Sequence, residues 1–261
     1  FICIPPFAHT TEVMEAAERG IHVFIEKPIA LTKDLAWKMV EACEKADIVT
    51  QVGYVWRYAY GIHRAHELVK NGELGRIGIF AARYIGAMLE VAKKHPWWRF
   101  REKSGGHVVE QVTHTYDSLR YIVGDVVEVH AYSIRYASLD ISGWDVEDGH
   151  VAIMKLKNGG LATIYSTAVA PDWLQGWFIS GSKGYVEMPD PNTIVIREYG
   201  KDLVKESKNI NPYLEEVRDF ILAILEGRST RNPIREGAKT LELTLAVRDS
   251  MERNGEKIII T

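Results

Sequence analysis

Two short stretches of this sequence hold side chains suited to proton transfer. The first is Glu26-Lys27-Pro28, which closes the apolar run Ile21-His22-Val23-Phe24-Ile25. A carboxylate and an ammonium at the end of a buried strand, followed by a proline, make a poor core but aim charge well at a ligand. In open α/β sheets ligands bind beyond the carboxyl ends of the strands, which is where Lys27 is expected. The competing reading is a lysine that snorkels to solvent beside Glu26. The second stretch runs from Ser104-Gly105-Gly106-His107 to Asp117. The spacing predicts a helix over about 107–123, on which Glu110, His114 and Asp117 fall at i, i+4 and i+7 and share one face. Three titratable groups on an otherwise apolar helix are costly to bury unless they meet each other or a ligand. A carboxylate one turn from a histidine orients the ring and raises its basicity, which suits a general base near neutral pH. The alternatives are a solvated polar face with a satisfied histidine, or a metal held by His107, Glu110 and His114. The sequence disfavours the metal, because no second ligand pair stands out.

Weaker signals are scattered along the chain. His9 follows Pro5-Pro6 at a helix start and either faces a ligand or caps the helix. His63 and His66, at i and i+3 on a polar helix, read as solvated. Trp97-Trp98-Arg99 forms an aromatic-plus-cation cluster in a loop, suited to stacking on a flat ring or to anchoring the loop. Trp173 and Trp177 either line a pocket or, the simpler reading, serve packing, and Cys3 and Cys43 read as core.

Alternating strands and helices must position these groups. Phe1–Ile4 reads as a strand, Thr10–Arg19 as a helix ended by Gly20, Ile21–Ile25 as a strand, Thr32–Ala46 as a helix capped by Thr32, and Ile48–Val55 as a strand. This is the pattern of a parallel sheet with right-handed crossovers. A helix over Tyr60–Asn71 and a strand over Ile77–Tyr84 follow, then an irregular aromatic stretch to Arg99. Beyond the 107–123 helix, strands are expected at Val126–Tyr136, Gly149–Leu156, Leu161–Ala168, Trp177–Ser180, Gly184–Met188 and Thr193–Tyr199. Asn158-Gly159-Gly160 and Ser182-Lys183-Gly184 serve as tight turns, so this sheet reads as antiparallel. Helices at Pro212–Glu226 and Ile234–Arg253 and the run Lys257–Ile260 complete the reading. The fold class is α/β, with two domains expected. Residues 1–58 form the C-terminal part of a Rossmann-type parallel sheet domain, and residues 59–261 an α+β domain with a large, mostly antiparallel sheet.

The bulk composition agrees. The 261 residues are 46% hydrophobic and 26% charged, with a formal net charge of −3. That balance gives no electrostatic case for nucleic acid. No apolar run of about 18 residues exists to span a membrane. Two cysteines without disulfide or metal spacing fit a reducing cytoplasm. Phe1-Ile2-Cys3-Ile4 reads as the interior of a buried strand, so a segment upstream of Phe1 is expected.

Taken together, these motifs resemble the Gfo/Idh/MocA superfamily of glucose–fructose oxidoreductase, inositol dehydrogenase and related enzymes. Ile4-Pro5-Pro6-Phe7-Ala8-His9 is similar to that family's turn after a Rossmann strand, and the stretch from Gly20 to Pro28 to its signature strand. Gly53-Tyr54-Val55-Trp56-Arg57 resembles its segment ending in arginine. Asn71-Gly72-Glu73-Leu74-Gly75-Arg76-Ile77 resembles its entry to the second domain. Gly105-Gly106 through Glu110, His114 and Asp117 is similar to its Gly-Gly…Asp…Gly…His…Asp helix. Asn158-Gly159-Gly160 and Gly181-Ser182-Lys183-Gly184 correspond to two of its hairpins. The chain departs from the pattern at Glu110, where the family commonly has Asp, and at Val112, where glycine is usual.

The resemblance implies an NAD- or NADP-dependent oxidoreductase acting on a secondary hydroxyl of a sugar, sugar derivative or cyclitol. Lys27 would hydrogen-bond the reacting hydroxyl, Pro28 would follow a cis peptide, and His114 would be the general base. Glu110 would bind substrate and tune His114, with Asp117 also on the substrate side. Pro6, His9, Glu26, Lys27, Pro28 and Arg57 would lie along the nicotinamide and ribose, and Trp98 and Arg99 near the cofactor's other side. The family's Gly-x-Gly-x-x-Gly loop would precede Phe1, and without it pyrophosphate lacks a cradle, so this stretch alone is expected to bind dinucleotide weakly. The sheet of the second domain would pack in a homodimer or homotetramer. The alternatives are an NAD-assisted glycoside hydrolase or lyase and a non-catalytic dinucleotide-binding regulator. The retained Lys27, Glu110 and His114 argue against the regulator.

Overall fold

The computed structural model describes residues 1–260. After a 3₁₀ turn at Pro6–Ala8, helix α1 (Glu12–Glu18) leads to strand β1 (Val23–Ile25), and α2 (Lys33–Lys45) leads to β2 (Thr50–Val52). Strands β1 and β2 pair in parallel. The segment before them adds one bridge, where the Ile2 amide donates to the Phe24 carbonyl at 2.8 Å and Ile2 carbonyl accepts from Glu26 at 2.9 Å. Thr32 caps α2 by accepting from the Leu35 amide at 3.4 Å. All three residues of each strand are buried, as expected of a parallel sheet covered on both faces.

A 3₁₀ turn at Val55–Tyr58 leads into α3 (Tyr60–Lys70), β3 (Ile77–Ala87), α4 (Met88–Lys94), a 3₁₀ turn at Pro96–Arg99, and α5 (Arg101–Ser104). Then come α6 (His107–Glu110), α7 (Thr113–Val123), β4 (Val126–Ile134), β5 (Gly149–Leu156), β6 (Leu161–Thr167), β7 (Val169–Gly181), β8 (Gly184–Asp190), β9 (Thr193–Glu198) and β10 (Val204–Ser207). Helices α8 (Pro212–Glu226) and α9 (Ile234–Glu252) and the short β11 (Ile258–Ile259) follow. The large sheet has the order β10-β9-β8-β7-β3-β6-β5-β4-β11. Its pairs are antiparallel apart from β3 with β6, which run parallel. Alternation sends Phe80, Ala82, Tyr84, Met154, Ile164 and Trp177 to the core, while Tyr132, Val151, Ile153, Tyr165 and Phe178 stay exposed on the opposite face.

Two apolar cores result, and α9 belongs to both. Its Ile234, Ala238, Leu241 and Leu245 pack with Val13, Met39, Ile25 and Val52. Its Leu243, Ala246, Val247 and Met251 pack with the helices and sheet of the second region. Among the described residues no helix is long and apolar enough to cross a membrane.

Several expectations need correction. The single helix over 107–123 is two, because Gln111 and Val112 interrupt it and the Val112 amide reaches back five residues to the His107 carbonyl at 3.1 Å. The aromatic stretch before Arg99 holds a helix, α4, and β7 begins eight residues before Trp177. Strand β10 has no counterpart in the sequence reading. Cys3 is exposed, because residues 1–4 lie at the margin of the small sheet, whereas Cys43 is buried. His63 and His66 are not free in solvent: Tyr121 meets them through its hydroxyl at 2.8 Å and its carbonyl at 2.6 Å, with its ring stacked 4.1 Å from His66.

Helix α3 docks on the β8–β9 turn with very little clearance. The Gly61 and Ile62 amides donate to the Pro191 carbonyl at 2.9 and 3.2 Å, satisfying donors that a helix start leaves open. A Cβ at Gly61 would lie 2.8 Å from the Thr193 carbonyl oxygen and 2.9 Å from that of Pro191. Alanine would favour the helix by about 1 kcal/mol, but both obstacles are backbone and cannot turn aside. Gly61→Ala is therefore expected to lower stability by about 1–3 kcal/mol, read as an earlier urea midpoint. An unchanged or later midpoint would contradict the close approach.

Candidate active site

Lys27 leaves the end of β1 and reaches the far core. The Lys27–Pro28 peptide is cis. Its ammonium donates to the Glu110 carbonyl oxygen at 2.7 Å and to Glu110 Oε1 at 3.0 Å, across 83 residues of sequence. Both side chains are largely buried, so this lysine does not snorkel to solvent. An ammonium has three donors, and two are directed at Glu110. Burial pushes the Glu110 carboxyl up, and the Lys27 charge opposes that shift. The interruption at Gln111–Val112 turns the Glu110 carbonyl out of the helix ladder, so that Lys27 can reach it.

His114, in the first turn of α7, is half-buried, and its buried Nδ1 has no hydrogen-bond partner among the described residues. Trp56 lies against its ring at 5.2 Å and Tyr54 meets it edge-on at 5.9 Å. Burial, then the Lys27 ammonium, holds its pKa well below the usual 6.5. The ring is therefore neutral at physiological pH and able to accept a proton. Trp56, Trp177 and Tyr84 continue the aromatic wall. Among the described residues no cluster of three His, Cys, Asp or Glu side chains is arranged to hold a metal.

Asp117 does not join this set. The helix break carries it to the other side, where Arg57 grips it in a two-pronged contact, Nε to Oδ2 at 2.8 Å and Nη2 to Oδ1 at 2.7 Å. Thr240 adds a hydrogen bond to Oδ1 at 3.0 Å. Arg57 and Asp117, both expected along the ligands, thus serve one another in the interior. His9 is buried with Nδ1 at 2.5 Å from Glu12, and Pro6 is buried in the preceding turn. Among the described residues the Glu26 carboxyl accepts a hydrogen bond only from the Lys27 amide, at 3.3 Å, which leaves lone pairs open at the end of β1. Trp98 stacks on His95 and packs with Trp144 and Val146, and Arg99 lies over Phe100.

Other residues around the site had no signal in the sequence. Glu147, from the loop before β5, accepts from the Val108 amide at 2.8 Å and so caps α6, the helix that carries Glu110. Arg101 holds its other oxygen at 3.2 Å. Gly106 has φ +103° and would press a Cβ to within 3.0 Å of Glu147, so only glycine fits comfortably. Tyr213, in the first turn of α8, lies within electrostatic reach of Glu26 and Tyr84. Glu216, one turn further, is buried with Oε1 unpartnered, beside Gln51, whose amide donates to the Glu216 carbonyl at 2.7 Å.

Comparison with known proteins places these features in a wider set. Residues 1–54 match the family model described as an oxidoreductase family with an NAD-binding Rossmann fold, and residues 62–187 match that of the GFO/IDH/MocA C-terminal domain. The chain is 27% identical over 189 residues to 2,7-anhydro-N-acetylneuraminate hydratase of Escherichia coli, covering 72% of this chain and 50% of that protein. It is 25% identical over 264 residues to myo-inositol 2-dehydrogenase of Thermotoga maritima, covering 96% of this chain and 76% of that protein. A solved levoglucosan dehydrogenase, in complex with NADH and levoglucosan, superposes with a TM-score of 0.90 at 21% identity, covering 99% of this chain and 79% of that one. This last likeness concerns the fold. The chain spans 33% and 50% of the length of the two hydratase relatives it matches.

The Glu216 carboxyl has a measurable consequence. Burial, then the nearby Glu26 and Asp117 carboxylates, pushes it from 4.5 to about 9. The folded state therefore keeps a proton that the unfolded state releases above pH 4.5. This contribution is complete below that pH and declines as pH rises towards about 9, by about 1.4 kcal/mol per unit. Glu216→Gln mimics the neutral acid without the titration. It is expected to stabilise the protein by about 2–4 kcal/mol at pH 8 and far less at pH 5, measured by urea unfolding at both. A variant equally or less stable at pH 8 would refute the protonated acid.

Proposed function

The chain belongs to the GFO/IDH/MocA oxidoreductase family, and from that premise we propose that it oxidises a secondary hydroxyl of a sugar, sugar derivative or cyclitol with NAD or NADP. The observation that carries this reading is the convergence of a donating Lys27, a carboxylate at Glu110 and a neutral, unpartnered His114 from two separate cores. The residues fit the nicotinamide end of such a cofactor. Glu26 retains open lone pairs for ribose hydroxyls at the carboxyl end of β1, with Pro6, His9 and Pro28 nearby along the same end of the sheet. A bound nicotinamide supplies the two-electron acceptor.

The chain's own groups handle the proton. The third N–H of Lys27 is available to the substrate oxygen and grows in value as negative charge builds there. His114 takes the hydroxyl proton on Nε2, the ring nitrogen that is not sealed in the interior. Glu110 holds the ammonium in place through both its carbonyl and its carboxylate. A second reading draws on the relatives named as hydratases. In it a hydride would pass to a bound nicotinamide and later return, while the same side chains move the proton, so that elimination or addition of water follows with no net change in the cofactor. A pure regulator has no use for these proton-transfer groups, so their presence argues against one.

Lys27→Met and His114→Ala are each expected to lower kcat by about 10²- to 10⁴-fold while circular dichroism stays native. Unaffected rates would remove the mechanism. Because His114 titrates well below 6.5, the acidic limb of kcat/KM is expected on the acid side of that value, and a limb at 7 or above would point to a different base. The exposed face of the large sheet, with Tyr132, Val151, Ile153, Tyr165 and Phe178, is too apolar to stay bare. A homodimer or homotetramer through it is proposed, and Val151→Glu should shift light-scattering mass to the monomer. An unchanged mass would count against that face.

A further inference from the structure

Lys27 engages only one carboxylate oxygen of Glu110. The other, Oε2, is buried without a hydrogen-bond partner among the described residues. The same holds for the Trp98 indole nitrogen and for both ring nitrogens of His107, which is 4% exposed. Glu110, Trp98 and His107 all line one cavity of about 10 Å³, together with Gln111, Trp144 and Met88. Buried polar groups are nearly always hydrogen-bonded, so unpaired atoms on three residues that line one small space are an unmet demand rather than a scatter of defects.

The demand has a definite chemistry. Burial pushes His107 down to about 4, against an opposing pull from Asp148, so its ring is neutral and presents one donor and one acceptor. Trp98 adds a donor and Glu110 an acceptor. A donor, an acceptor and one nitrogen of the His107 ring suit an oxygen that carries hydrogen, and the space matches about one such oxygen. The walls are also held in place. His107 sits at the start of α6, which Glu147 caps. Its ring meets Tyr84 edge-on at 5.8 Å, and Tyr84 in turn donates to Gln111 Oε1 at 2.9 Å.

We propose that this cavity is a subsite for a second hydroxyl of a polyol substrate, adjoining the reacting one and read by His107 and Trp98, with Glu110 shared between the two positions. The inference rests on the polyol reading given above. A resident water fills the space when no substrate is bound. The substrate hydroxyl displaces it, and an analogue without that hydroxyl leaves the buried groups unpaired.

Nitrogen-15 spectra of histidine-labelled full-length protein test this directly, with the His107 signal assigned by its loss in His107→Gln. The probes are myo-inositol, glucose and 1,6-anhydroglucose, each at saturation with NAD⁺. At least one is expected to shift the His107 ring nitrogens. The subsite is overturned if none does, or if a probe that is oxidised leaves them unmoved. A shift without turnover keeps the subsite and removes the dehydrogenase reading. With an oxidised probe, His107→Leu is expected to cut kcat/KM about 10- to 100-fold. It should change the rate with the matching deoxy analogue by less than about threefold. Equal losses for both compounds would assign His107 a merely structural part and refute the proposal.

Discussion

The buried fork between Arg57 and Asp117 is the constraint on which the rest of the site depends. Both groups are at most 3% exposed, and the two contacts of 2.7 and 2.8 Å match the planar geometry of guanidinium and carboxylate. Removing either partner would strand a charge in the interior at a cost of about 3–5 kcal/mol. The chain neighbours of this pair are the chemically interesting residues. Trp56 precedes Arg57 and lies on the His114 ring, and His114 sits three residues before Asp117 on α7. Locking Arg57 to Asp117 therefore presses the aromatic wall onto the imidazole. Thr240 and Arg120 extend the lock to α9, through Asp117 and Glu236.

Around that anchor the electrostatics push ionisable groups towards their neutral forms. Glu26, Glu110 and Glu216 are all shifted up, first by burial, and His114 is shifted down for the same reason. Lys27 is the cation that Glu110 and Glu26 share, directly at Glu110 and through space at Glu26. A dry site with one fixed ammonium favours charge growth on a nearby oxygen more than water does.

Much of this was legible in the residues. Lys27 stood out because charge at the end of a fully apolar strand has few structural uses, and Glu110 and His114 because titratable groups on an apolar helix are costly to bury. The expected contact between those two is absent among the described residues, Glu110 turning to Lys27 and burial lowering the pKa of His114. Asp117 was misplaced because a 3.6-residue period extends smoothly through Gln111 and Val112, while the real helix stops there. The interruption depends on packing of the buried Val112 and on Lys27 reaching the Glu110 carbonyl, and neither is local. Glu147 and Glu216 were invisible for a similar reason, since their partners lie 39 residues away and across the fold. His63 and His66 looked solvated because Tyr121, which engages both, is more than 50 residues further on. Strand β10, Val-Lys-Glu-Ser, has too little apolar alternation to announce itself and exists by pairing with β9.

Helix α9 carries a mechanical consequence. One side of it completes the core around β1 and β2, and the other completes the core beneath the large sheet. Rotating one region against the other would strip apolar side chains from one of those sides, at about 25 cal/mol for each Å² exposed. The cleft that holds Lys27 opposite Glu110 is thus framed like a drawer in a single cabinet, not like two jaws on a hinge. Its width is set when the protein folds, and a visiting molecule has to suit that gap as it stands.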